Sequence, residues 1–358
     1  MISANAVSRN VDSIIEFLDG KGNFSREFST IFILLSALAL TTPFVPLLGD
    51  LACHGKRITS QEVSHHGMAT REVRGFSSFS ILKSYFQHMY FVGSVVGGFC
   101  LFIALRAALI TDDNIFVKDA VPHVCIQGLV MFEAHCIRRL YECLFMTKYG
   151  SSTMDITAYL VGILHYILVP SCIICSLLKQ GRGTAESCNS DLLSVTRVLS
   201  LFLFVVGNIS QFKCHQILFN LKKKKSEIRC EVNKLRREHD ADCDHKTKHG
   251  TVTADCDRNR CQCINVASNL GGDQVHSYSF PRGFGFDYVV CPHYTSEIVI
   301  YISFLMLNPA SSSLFCMLLW VASNLSVVAD SQFHWYTEKF PEEMKKMAEL
   351  KRLIPGIW

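Results

Sequence analysis

The chain has 358 residues, of which 49% are hydrophobic and only 18% charged, with a formal net charge of +4 and a mean hydropathy of +0.24. A soluble domain carries about 25% charged residues, so this chain lacks the polar surface that would wet a water-soluble globule. Its small positive balance mostly reflects basic loops between apolar runs and says little about nucleic acid.

Residues 1–28 read as a polar lead-in of mixed charge, without the apolar core of a cleavable signal. Apolar runs follow at 29–49, 89–111, 121–134, 156–178, 194–212 and 298–329. A spanning helix needs roughly 20 mainly apolar residues. The last run is long enough for two shorter helices, with "NPASSS" (308–313) as the turn, because Pro309 and the serines interrupt helical periodicity. The expected fold is all-α: a multi-pass transmembrane bundle of about seven helices, with the third the weakest. Basic residues set its orientation. Lys56, Arg57, Arg71, Arg74 and Lys83 fall in one loop, Arg138, Arg139 and Lys148 in another, and "KKKK" (222–225) after the fifth run. The alternate loops hold only Lys118, or Lys179 with Arg182. This alternation predicts a lumenal N-terminus and a cytosolic C-terminus.

Four regions are expected: the lead-in 1–28, helices 1–5 over 29–224, a flexible charged cytosolic insertion over 225–274, and a C-terminal unit over 275–358. The insertion has few large aliphatics and cannot bury a core, although its first part could extend the fifth helix. Its "DADCD" (240–244) starts like a calcium loop, but His245 stands where glycine is needed and Thr251 where glutamate is needed. Cys243, His245, Cys256, Cys261 and Cys263 lack the paired spacing of a structural zinc site, so no metal is expected. Cys100, Cys172, Cys175 and Cys316 lie in apolar runs and read as packing residues.

"GFG" (283–285) lacks the strand and third glycine of a dinucleotide fingerprint. The remaining chemistry lies in ionisable residues at membrane depth, which are costly to bury and therefore candidates for function. His135, Arg138, Arg139 and Glu142 share one helical face, as do Gln211, His215 and Lys222. His293 and Glu297, four apart, open the sixth helix. His334, Tyr336 and Lys339 end the seventh. Each set also has a structural explanation: a basic anchor, a polar helix end, a glutamate favoured by the helix dipole, or an interfacial aromatic belt. All four fall on the same predicted side of the membrane and could converge.

In order, "HGKR" (54–57), "LKSYFQHMY" (82–90), "RRLYEC" (138–143), "QFKCHQILFNLKK" (211–223) and "SYSFPRGFGFDYVVCPHYTSEIVIY" (277–301) resemble segments of the steroid 5α-reductase family, most closely its polyprenol reductase branch. The resemblance implies an NADPH-dependent oxidoreductase of the endoplasmic reticulum membrane. Such an enzyme reduces the α,β double bond of the α-isoprene unit of polyprenol or polyprenal, giving a dolichol-type lipid for protein N-glycosylation. It implies His135, Tyr141 and Glu297 as catalytic groups, and Arg138 with Tyr141 on the substrate side. For the cofactor it implies Arg139, Gln211, His215, Lys222, Tyr278, His293, Glu297, His334, Tyr336 and Arg352. His334 stands one place beyond the family's histidine position, which is Phe333 here. The implied partners are a polyprenyl lipid and the surrounding membrane lipids, with no nucleic acid, and the protein is expected to be a monomer. The alternatives are a steroid 5α-reductase or enoyl-CoA reductase on the same scaffold, or a non-enzymatic membrane protein.

Overall fold

The computed structural model describes residues 24–42, 80–110, 123–147, 149–150, 152–178, 190–248, 278–347 and 349–356. The long helices are α1 (Phe24–Thr41), α2 (Gln87–Ile110), α3 (His123–Tyr141), α4 (Ile156–Leu178), α5 (Ser190–Lys248), α6 (Pro292–Leu307) and α7 (Ser312–Lys339), followed by the short α8 (Pro341–Lys346). A helix therefore stands at each place the apolar runs predict. Among the described residues, five stretches are long and apolar enough to cross a membrane, in α1, α2, α4, α5 and α7. Helix α3 falls short because Gln127, Glu133, His135 and two arginines interrupt it, and α6 because it has only 16 residues.

Several boundaries differ from the sequence reading for local reasons. The first helix begins at Phe24, inside the expected lead-in, and ends at Thr41. The apolar run continues to 49, but Pro43 disfavours helical backbone in the residue before it, and 43–79 lies outside the described residues. Helix α5 leaves the bundle and runs to Lys248, so the front of the expected insertion is helical; 249–277 lies outside the described residues. The "NPASSS" turn forms as expected. Asn308 and Ser311 close it by backbone hydrogen bonds, and the Ser311 hydroxyl caps α7 by accepting from the Leu314 amide.

The bundle is apolar outside as well as inside. Phe91, Phe99 and Phe102 of α2 and Val198 and Phe202 of α5 are exposed, while Phe132, Ile173, Tyr301, Phe304 and Leu307 are fully buried. Large exposed apolar surface of this kind marks contact with a membrane or a partner. Helix α5 packs along α6, α7 against α1, and α2 against both α3 and α4. Glycines permit two close crossings. A Cβ at Gly207 would lie 3.1 Å from the Ser296 carbonyl oxygen of α6, and one at Gly97 2.3 Å from Glu133 Oε1 of α3.

One end of the bundle is tied together by small elements. Strands β1 (Ser80–Leu82) and β2 (Thr153–Asp155) pair antiparallel, Ser80 opposite Asp155, and join the approach to α2 to the approach to α4. The tail returns to the mouth of α6: the Val290 amide donates to the Lys351 carbonyl at 2.8 Å, the Lys351 amide to Tyr288, and the Thr295 hydroxyl to the Leu353 carbonyl at 2.7 Å.

Candidate active site

At the tied end, α3 presents His135, Arg138 and Arg139 toward the interior. The helix then widens into a π turn, Glu142–Met146, closed by the Thr147 amide donating to the Glu142 carbonyl at 2.9 Å. Single π turns of this sort concentrate at functional sites. Glu142 is 0% exposed. Its two oxygens accept from Nη1 of Arg138 and Nη1 of Arg139 respectively. His215 Nδ1 of α5 donates to Oε2 at 2.7 Å. Burial alone would raise the Glu142 carboxyl, but the histidine hydrogen bond and the two guanidiniums outweigh it and hold the pKa at about 2.

Helix α5 adds Asn208 and Gln211, about two turns and one turn before His215. Asn208 Oδ1 accepts from Arg138 Nε at 2.9 Å and lies 3.3 Å from His135 Nδ1. Gln211 accepts from Arg138 through Oε1 and donates through Nε2 to Glu297 of α6. Glu297 Oε1 lies 3.5 Å from His135 Nε2. Tyr90 of α2 supports Arg139, accepting from Nε at 3.1 Å and Nη2 at 2.9 Å, with the guanidinium carbon 4.9 Å from the ring centre. Two guanidiniums thus face two carboxylates, balancing charge in a buried setting where an unpaired ion is expensive. Two buried nitrogens, His135 Nε2 and His293 Nδ1, have no hydrogen-bond partner among the described residues, and the His293 ring sits 5.7 Å from that of His215.

Of the residues expected from sequence, His135, Arg138, Arg139, Gln211, His215, His293 and Glu297 come together in this cluster. Tyr141 does not. It is 53% exposed and packs against Phe145 on the outer face of α3, because one residue along a helix turns about 100° away from Glu142. Lys222 is exposed, two turns beyond His215 where α5 leaves the bundle.

The remaining expected residues form a second cluster at the same end. Tyr336 is buried with Phe280 and Phe340, and Tyr278 meets Trp335 edge-on at 5.0 Å. Arg352 pairs with Asp330 and lies 4.4 Å over the Phe333 ring. Exposed His334 lies 3.5 Å from the same aspartate. Sequence reading passed over Tyr90 and Asn208. The available signal was a polar residue inside an otherwise apolar run, but which way each points depends on the rotation of α2 and α5. Among the described residues no group of three or more His, Cys, Asp or Glu could hold a metal ion.

The family model for 3-oxo-5-alpha-steroid 4-dehydrogenase matches residues 257–358, the part that contains the mouth of α6, α7 and the tail. Curated relatives extend the match toward the N-terminus. The chain is 23% identical over 299 residues to a polyprenal reductase of Caenorhabditis elegans, covering 78% of this chain and 80% of that protein. It is 26% identical over 280 residues to the polyprenal reductase of Xenopus laevis (73% and 74%), and 23% identical over 243 residues to that of Homo sapiens (63% and 62%). These likenesses support a place in the steroid 5α-reductase family, on the side of its polyprenol reductase branch. The buried cluster on α3, α5 and α6 and the aromatic cluster under the tail lie side by side at the mouth of α6. Tyr294, beside His293 with ring centres 4.1 Å apart, packs against the aromatic group.

Proposed function

We propose that the chain is an NADPH-dependent reductase of the α,β double bond in the α-isoprene unit of polyprenal or polyprenol, giving a dolichol-type lipid for protein N-glycosylation. In this reading it is a seven-span monomer of the endoplasmic reticulum membrane, with its N-terminus lumenal and its C-terminus cytosolic. The observation that carries the proposal is the charge-balanced polar cluster inside an apolar bundle, in a chain similar to polyprenal reductases over most of its length. A polyprenyl lipid can reach such a site from the hydrocarbon side, and a polyanionic cofactor from the water side.

The residues present fit that cofactor. The largely enclosed Glu297 carboxylate, with His135 Nε2 and His293 Nδ1, which make no hydrogen bond among the described residues, matches a carboxamide, which both donates and accepts. Lys213 lies 5.6 Å from the Phe284 ring, and Lys339 5.9 Å from the Tyr278 ring. With Arg282, Lys351 and Arg352 they make the mouth cationic, as phosphates require. Bound NADPH supplies the hydride. The chain's own part is to hold and orient. Glu297, Gln211 and His293 would position the nicotinamide end, and Arg139, held by Tyr90 and Glu142, keeps the field of the site fixed. Such a preset field stabilises developing charge without reorganisation. The apolar bundle keeps water from the reacting carbons.

Purified protein supplied with NADPH and polyprenal should oxidise NADPH and yield a lipid gaining two hydrogens. A 3-oxo-4-ene steroid tests the second reading, which the family description favours. No NADPH oxidation with polyprenal, polyprenol, steroid or enoyl-CoA refutes the reductase.

A further inference from the structure

Deeper in the bundle than the ion cluster, three side chains from three helices form a polar chain in apolar surroundings. Trp320 Nε1 of α7 lies 3.1 Å from His165 Nδ1 of α4, and His165 Nε2 lies 2.7 Å from the hydroxyl of Tyr301 of α6. The hydrogen positions follow from chemistry. An indole N–H can only donate, so His165 Nδ1 is the acceptor and the neutral imidazole carries its hydrogen on Nε2. That hydrogen is donated to the Tyr301 oxygen. Tyr301 must then direct its own O–H elsewhere, and no acceptor for it occurs among the described residues. The residue is 1% exposed, so water is a poor substitute.

Tyr301 stands four residues after Glu297 on α6, on the same helical face. Its ring is flanked by His165 and Phe304 at 5.8 Å each. Through His165 and Tyr166 it connects to Tyr90, the residue that holds Arg139. A fixed hydrogen-bond donor therefore lies just to the apolar side of the ion cluster, where the head of a membrane lipid would sit. We propose that Tyr301 donates its O–H to the carbonyl oxygen of the polyprenyl substrate, with His165 and Trp320 as positioning residues that fix the direction of that donor. The assignment rests on the reductase reading. Its chemical sense is that reduction of a conjugated double bond pushes electron density onto the carbonyl oxygen, where a preset donor is worth most.

The test uses the full-length protein and a short polyprenal labelled at its carbonyl carbon. Without cofactor, the carbonyl stretch of the bound lipid should lie at lower frequency in wild type than in Tyr301→Phe. With NADPH, Tyr301→Phe should lose about 10²–10³-fold in kcat, as when one oxyanion donor is removed, with NADPH affinity unchanged. Trp320→Phe frees His165 to carry its hydrogen on either nitrogen. It should therefore raise the carbonyl frequency partway and lower kcat, even though Trp320 touches no substrate. A purely structural role would lower the melting temperature and leave the frequency alone, which overturns the proposal. An active wild type with an equally active Tyr301→Phe and an unmoved carbonyl band overturns this assignment alone. A wild type that neither binds nor reduces polyprenal overturns the reductase reading and the assignment with it.

Discussion

Replacing Glu142 by glutamine removes one of two negative charges from the buried cluster while keeping the side chain's size. In the native site Arg138 and Arg139 each donate to one carboxylate oxygen, and His215 donates to Oε2 as well. Glutamine keeps one acceptor and turns an amide NH₂ toward a cation, leaving one guanidinium without its counterion. Removing one partner of a buried ion pair costs about 3–5 kcal/mol. At about 2 °C per kcal/mol for a large chain, the melting temperature should fall by about 6–10 °C. The assay is thermal unfolding in detergent, followed by intrinsic fluorescence. The double variant Arg138→Gln/Glu142→Gln restores charge balance and should recover a large part of the loss. The pH dependence has a definite sign. The folded pKa of Glu142 is about 2 against a reference of 4.5, so its contribution is complete above pH 4.5 and is lost as pH falls toward 2. The Glu142→Gln deficit should therefore stay constant across about pH 6–8 and shrink only in acid. A variant melting within about 2 °C of wild type near neutrality, or a double variant worse than either single one, would refute the charge-balance reasoning.

Glu297→Gln should behave differently. It keeps an acceptor for Gln211, so the fold should survive while NADPH affinity, measured by fluorescence titration, falls at least tenfold; unchanged affinity removes Glu297 from the cofactor site. Gly97→Ala should destabilise by about 1–3 kcal/mol, because its Cβ would meet Glu133 Oε1 at 2.3 Å and the Phe132 ring at 2.8 Å. Gly98→Ala, with nothing within 4 Å, should be neutral or stabilising in the same melts. Arg352→Gln breaks the Asp330 pair and the Phe333 stack. These groups are partly exposed, so solvent screens the pair and the melting temperature should move by no more than about 2 °C, corresponding to about 1 kcal/mol.

The helices were legible because a spanning helix is a long apolar run, and Pro309 with its serines marks the break between α6 and α7, whereas Pro170 alone sits inside α4. The first helix ends at Thr41, just ahead of Pro43, a stop signal that hydropathy alone does not register. Within the site, spacing along a single helix was a sound guide. His135, Arg138, Arg139 and Glu142 do share a face, and Gln211 and His215 do project together. Tyr141 failed for the same geometric reason, since it lies next to Glu142 in sequence and about 100° away in space. What spacing could not supply was the pairing between helices. Asn208 meets Arg138, and Tyr90 meets Arg139, only because α5 and α2 are rotated as they are, and that rotation depends on glycine crossings such as Gly207 against α6. His334 and Tyr336 shared an end of the bundle with the ion cluster, but α7 turns them toward the tail.

The π turn at Glu142–Met146 also acts as a phase joint. One residue corresponds to about 100° of helical rotation, and the wider turn absorbs one residue between the ion cluster and the segment leading to β2. Deleting one residue from 144–146 would let the turn close as ordinary α-helix, with Arg138, Arg139 and Glu142 still in register. Because the wide turn holds one residue more than an α-helical turn, Thr147 and the strand pairing of Ser80 with Asp155 should then keep nearly the same place. At this point a change of length therefore tests a connection between site and scaffold that no side-chain substitution can reach.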